Sequence, residues 1–105
     1  MPKYHHFGVP SSKVYPKATY IAPGKVYATN PDDSPYCIEF LRFEKDSQMP
    51  KEVMTKPHVA FVVDDLKKEL KGKNVLIQPF DATDKLRVAF ITDGDALIEL
   101  MEMKG

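Results

Sequence analysis

The chain carries one short pattern twice, and that duplication limits the folds open to it. "HFGVP", starting at His6, aligns with "HVAFV", starting at His58, and "CIEFL" around Glu39 aligns with "LIELM" around Glu99. Each half therefore opens on a strand-like segment bearing His and closes on one bearing Glu, as two copies of a supersecondary unit would. Glu39 follows His6 by 33 residues and Glu99 follows His58 by 41. The excess of eight is about two helical turns. It falls where the second half has "DDLKKELKG", so a helix is expected there and none in the first half.

Proline placement supports this division. Six of the nine prolines (Pro2, Pro10, Pro16, Pro23, Pro31, Pro35) lie in the first 35 residues, and proline in a sheet is confined to turns, edges and strand starts. Short strands are expected at "YHHFGV", "KATYIA", "KVYAT" and "YCIEFLRFE", between turn signals such as "APGK" and "NPDDSP". The polar stretch "KDSQMPKEVMTKP" reads as a connector able to hold a helical turn. After it come the strand "HVAFVV", a short helix capped by Asp64 or Asp65 and ending at Gly72, then "NVLIQPF", "LRVAFIT" and "ALIELMEM", with "TDGD" as the last hairpin turn. Leu66 and Leu70, one turn apart, would pack that helix on the sheet.

With 105 residues and 43% hydrophobic content, the chain is sized for one core. A single domain over 1–105 is expected, with a first module at about 1–45, a connector at about 46–56 and a second module at about 57–105. Fifteen basic and fifteen acidic residues cancel. That balance argues against nucleic acid or an anionic membrane as partner and for a small molecule. No apolar run approaches the roughly 20 residues that span a bilayer, and "MPKYHHFG" offers no signal-peptide core. A cytoplasmic location is expected, consistent with a lone cysteine, Cys37.

Strand alternation gives the direction of the four repeated side chains. Glu39 shares its face with Cys37 and Leu41, and Glu99 shares its face with Leu97 and Met101. An unpaired carboxylate on so apolar a face is costly to bury. His58 lies with Ala60 and Val62, and His6 with Gly8 and Pro10. If a pseudo-twofold axis relates the halves, two His and two Glu meet at one point, where a divalent cation would balance two negative charges. His5 competes with His6 for the first position, and the register with His58 favours His6, because a one-residue slip reverses the face.

These residues carry a family resemblance. The paired "H-x-[GA]-[VF]" openings, the "DDL" helix start and the "[IL]-E-[FL]" closings resemble the vicinal oxygen chelate superfamily, of the glyoxalase and bleomycin-resistance type. The resemblance covers nearly the whole chain and is strongest from His58 to Met101. It implies an α+β fold of two βαβββ-type modules that form a curled mixed sheet around a cleft, the first module being shortened and without its helix. It also implies a divalent metal held by His6, Glu39, His58 and Glu99, a set closer to the glyoxalase I pattern than to the iron dioxygenase branch. Counterparts of the arginine and asparagine contacts by which glyoxalase I holds glutathione are missing.

Two imidazoles and two carboxylates suit Ni, Zn, Co, Mn or Fe. The activity expected on these grounds is that of a metal-dependent lyase, isomerase or epimerase. The ion would polarise a small 2-oxo or thioester-like substrate, and Glu99, with Glu39 as companion, would move a proton at the adjacent carbon. The other reading of the same fold is a metal-free module that binds a drug or metabolite in the cleft. Cys37 is either a cleft residue or a small core residue. Arg87 is a weak candidate for pairing with an acidic substrate, and the five tyrosines are taken as packing. Exposed sheet edges and the short first half point to a homodimer.

Overall fold

Eight strands make one mixed sheet whose pairing repeats the duplication in the sequence. The computed structural model describes residues 1–104. Its strands are β1 (Lys3–Pro10), β2 (Thr19–Ile21), β3 (Val26–Ala28), β4 (Ile38–Phe43), β5 (His58–Val62), β6 (Asn74–Thr83), β7 (Leu86–Asp93) and β8 (Ala96–Met103); the helices are α1 (Lys51–Thr55) and α2 (Leu66–Glu69). The spatial order is β2-β3-β4-β1-β5-β8-β7-β6. Read outward from the centre, each half runs first strand, fourth, third, second. Both β1 with β4 and β5 with β8 are parallel, and the remaining pairs within each half are antiparallel.

The halves join where β1 and β5 lie antiparallel. There Phe7 faces Val59, His6 faces Ala60, and Gly8 faces His58. This reciprocal pairing is what a twofold axis through Phe7 and Val59 produces. Beyond it the sheet curls until β6 touches the 3₁₀ turn at Ala22–Gly24, which belongs to the other half. The result is an α+β half-barrel, as expected, with its concave face enclosed from within one chain.

The convex face of the second half is covered by α2. Asp65 caps that helix by accepting from the Lys68 N–H at 3.1 Å. Leu66, only 1% exposed, packs with Val63, Ala89, Ile91 and Leu100. Gly72 takes φ 74°, a left-handed conformation that releases the chain toward β6. Burying Leu66 fully is worth about 1.5–3 kcal/mol, so one turn of helix is enough to anchor this face.

Two expectations change here. The helix has one turn, not two, and the length difference between halves resides mostly in strands: β2 and β3 have three residues each, whereas β6 and β7 have ten and eight. Six prolines interrupt the first third, so pairing cannot extend there. By contrast β6 is an edge strand and continues through Pro79, whose missing N–H costs no ladder bond on the open side. The connector does form a helical turn, α1, and its Val53, 2% exposed, packs against Phe90 and Leu97. No helix among the described residues is long and apolar enough to cross a membrane.

Candidate metal centre

The four repeated side chains meet on the concave face, at the junction of the halves. Within each half the parallel pairing sets one register, Gly8 opposite Glu39 and Ala60 opposite Glu99. Each His thus precedes by two residues the position facing its Glu, and the pleat directs both to the same side. His6 and His58 are each 2% exposed, and Glu99 is 9% exposed. One ligand atom from each of His6, Glu39 and His58 lies within 4.8 Å of the others. Glu99 joins them: its Oε1 is 3.0 Å from Nε2 of His58 and 3.4 Å from Nε2 of His6. Glu39 Oε1 is 3.2 Å from that same His6 nitrogen.

These are close imidazole–carboxylate contacts that lack the alignment of hydrogen bonds. Nε2 of His6 and Nε2 and Nδ1 of His58 are buried with no hydrogen-bond partner, a condition that costs about 1–3 kcal/mol per group unless something in the cleft satisfies it. Donors held about 2.0–2.2 Å from one ion lie about 2.8–3.1 Å apart when adjacent in octahedral geometry and about 3.3–3.6 Å apart in tetrahedral geometry. The observed spacings fall within these limits, and the donor types are those a borderline divalent ion accepts. The residues present therefore fit such an ion.

Gly8 is required by this packing. A Cβ placed on it would lie inside the van der Waals envelope of the His58 ring, 2.7 Å from Nδ1 and nearer still to Nε2 and Cε1. The edge of Phe90 fixes the ring from another direction, with centroids 5.4 Å apart and planes at 81°.

The structure places His6, not His5, in the cleft, beside a bulge in β1. Tyr4 pairs with Phe61 and His6 with Ala60, so His5 is an extra residue in β1. A bulge breaks strict alternation, which lets neighbouring side chains approach: His5 Nδ1 lies 2.7 Å from His6 Nδ1. His6 is in the cleft. His5 stands behind it, and the contact ties up Nδ1 of His6 while Nε2 faces the two carboxylates.

Electrostatics couple the group. Burial lowers the pKa of His6, but Glu39 and Glu99 outweigh it and raise the value to about 9. Burial likewise pushes the Glu99 carboxyl up, yet the imidazoles of His58 and His6 hold it down at about 2. Without a metal, a proton on His6 is the charge that offsets the carboxylates.

The remaining candidates lie elsewhere. Cys37 is excluded from the cleft: it precedes β4 with φ 55°, so the alternation from Glu39 does not reach it. Arg87 points away and bonds Asp81, Nε to Oδ1 at 3.1 Å, among exposed residues. No tyrosine lines the cleft. Sequence reading missed Met49 and Val53 from the connector and Phe43, Phe80, Val88 and Phe90 from the strands, which wall the cleft. For the strand residues alternation was an available signal; for the connector there was none. The cavity they enclose is small, about 90 Å³.

No family model and no curated protein matches this chain. Solved structures do. One is the crystal structure of a hypothetical protein from Bacillus halodurans C-125, 13% identical, covering 99% of this chain and 96% of that one with a TM-score of 0.69. At that identity the likeness concerns the fold.

Proposed function

We propose that this chain is a glyoxalase-like member of the vicinal oxygen chelate superfamily, a metal-dependent lyase, isomerase or epimerase acting on a small oxygenated compound in the cytoplasm. One observation carries the reading: two buried imidazoles with unpartnered Nε2 atoms and two carboxylates converge across a pseudo-twofold junction. His6 and His58 would hold a divalent ion (Ni, Zn, Co, Mn or Fe) through Nε2, and Glu39 and Glu99 through carboxylate oxygens. When bound, such an ion supplies Lewis acidity toward a carbonyl oxygen.

The chain's own residues do the rest. His5 holds the far nitrogen of His6. The Gly8 cradle and the edge of Phe90 orient His58. Apolar walls keep bulk water away from the reacting carbon, which strengthens every charge interaction there. Glu99 carries the proton between carbon and oxygen. Glu39, near only one imidazole where Glu99 is near two, assists.

The apolar lining favours the second reading, a metal-free binding module, but the volume opposes it. Pockets for drug-sized ligands span about 300–1,000 Å³, several times the 90 Å³ here. A homodimer is part of the proposal, supported by the uncovered outer face of β1, where Tyr4 is 50% and Phe7 36% exposed; light scattering at twice the monomer mass is the expected result.

Elemental analysis of protein purified without chelator tests the metal centre. Near-stoichiometric metal in the parent protein, lost in His58→Ala and Glu99→Gln, is the expected outcome. Failure to take up any of the five ions would return the site to a set of buried polar residues.

A further inference from the structure

The cleft has only one kind of polar chemistry. Apart from His6, Glu39, His58 and Glu99, every residue lining it is apolar or glycine, with walls formed by Leu41, Phe43, Val53, Phe80, Val88 and Phe90. No Lys, Arg, Ser, Thr, Asn, Gln or Tyr reaches it among the described residues. Three cations next in sequence to lining residues, Lys25, Arg42 and Arg87, are engaged outside, Arg87 with Asp81. Lys25, next to the lining residue Gly24, bonds Asp46 with its Nζ at 2.5 Å. Arg42, between Leu41 and Phe43, lies over the Tyr27 ring, 4.3 Å from its centroid.

Charge accounting at the centre follows. Two carboxylates and two neutral imidazoles carry two negative charges, which a divalent ion cancels. A neutral guest keeps the enclosed volume neutral. A carboxylate or phosphate would add uncompensated negative charge inside an apolar enclosure, which is costly where no cation or hydrogen-bond donor answers it. Size narrows the guest further, since about 90 Å³ is well below the about 300–1,000 Å³ of pockets that take drug-sized ligands.

We infer that the substrate is a small uncharged molecule, a body of a few carbons bearing oxygen, and that 2-oxo acids and large thiol-linked adducts are excluded by the walls. This rests on the metal-centre reading given above. The oxygens are recognised at the centre, and the aromatic walls accept the alkyl groups.

Cobalt(II)-loaded full-length protein, with uptake verified by elemental analysis, is titrated with butane-2,3-dione, 3-hydroxybutan-2-one, pyruvate and 1-phenylpropane-1,2-dione while the visible spectrum of the ion is followed. Pyruvate matches butane-2,3-dione in heavy-atom count and differs in charge, so the pair isolates electrostatics. The two neutral four-carbon compounds are expected to perturb the spectrum at concentrations about tenfold or more below those required of pyruvate, with the phenyl compound without effect. In Met49→Lys, which adds a cation at a half-buried wall position, the preference should move toward pyruvate. Equal or tighter binding of pyruvate by the parent protein, or tighter binding of the phenyl compound, overturns the inference while leaving the metal centre intact. Absence of cobalt uptake overturns both.

Discussion

The two halves of the sheet share a register and differ in how they are held. The second has long strands, an N-capped helix and a core of Val63, Leu66, Ala89, Ile91 and Leu100 on its convex face. In the first, β2 and β3 have three residues each, turns take the place of the helix, and Val26, Ala28 and Leu41 are its buried cluster. Tyr15 stacked on Phe40, with centroids 4.9 Å apart, provides some cover there. Yet the His and Glu of each half reach the same place. Register along β1–β4 and β5–β8 positions the site, while thickness of packing sets stability, so a half can lose most of its packing and still deliver two side chains accurately.

Substitutions that have no counterpart across the axis test this division most strongly. Leu66→Ala removes the anchor of α2, and a loss of about 2–5 kcal/mol is expected, measured by chemical denaturation. Metal content per folded molecule should remain near that of the parent. Loss of metal with the fold retained would show that the helix, not the register, positions the site.

Mirrored substitutions come next. Gly8→Ala drives a methyl into the His58 ring and should cost about 1–3 kcal/mol as overpacking, together with most of the metal. Ala60→Gly, at the equivalent position opposite His6, should cost about 0.5–1 kcal/mol through backbone freedom and leave the metal in place. Equal effects from the two would mean that the halves are interchangeable at this level.

His5 has no counterpart, because Pro57 stands at the matching place before His58. His5→Ala should weaken metal affinity by about 10–100-fold, the usual effect of removing a group that orients a ligating imidazole, without a change in melting temperature of the metal-free protein comparable to that of Gly8→Ala. Competition against a chromophoric chelator reads the affinity.

The smallest effect is a pH trend in metal-free protein. His6, raised from 6.5 to about 9 in the fold, contributes stability that is present below pH 6.5 and lost as pH rises through 9. Glu99, lowered from 4.5 to about 2, contributes stability that is present above pH 4.5 and lost as pH falls toward 2. Thermal melts should therefore show a maximum between these limits, and His6→Gln should flatten the alkaline side and, because His6 helps to hold Glu99 down, soften the acid side as well.

The residues of the candidate site could be read from the chain because period-two alternation and the doubled spacing depend on local geometry alone. From those, His6, Glu39, His58 and Glu99 fall on matching faces, whereas the spatial order of the strands within each half is a matter of long-range pairing that neither signal contains. Of the two places open to Cys37 the cleft is not realised, and a left-handed φ one residue before β4 begins leaves no trace in the hydrophobic pattern. The bulge at His5 is equally silent, since a doublet of histidines reads the same with or without an extra residue in the ladder.

Sequence by itself determined which side chains repeat, how far apart they lie along the chain and which neighbours share their face, because these follow from covalent order and the pleat of a strand. Tertiary structure alone decided that β1 and β5 pair antiparallel about Phe7 and Val59, that Met49 and Val53 from the connector help to close the cleft, and how little room remains inside. Those are contacts between segments far apart in the chain, and their geometry is fixed by how the whole sheet curls and packs rather than by any local pattern of residues.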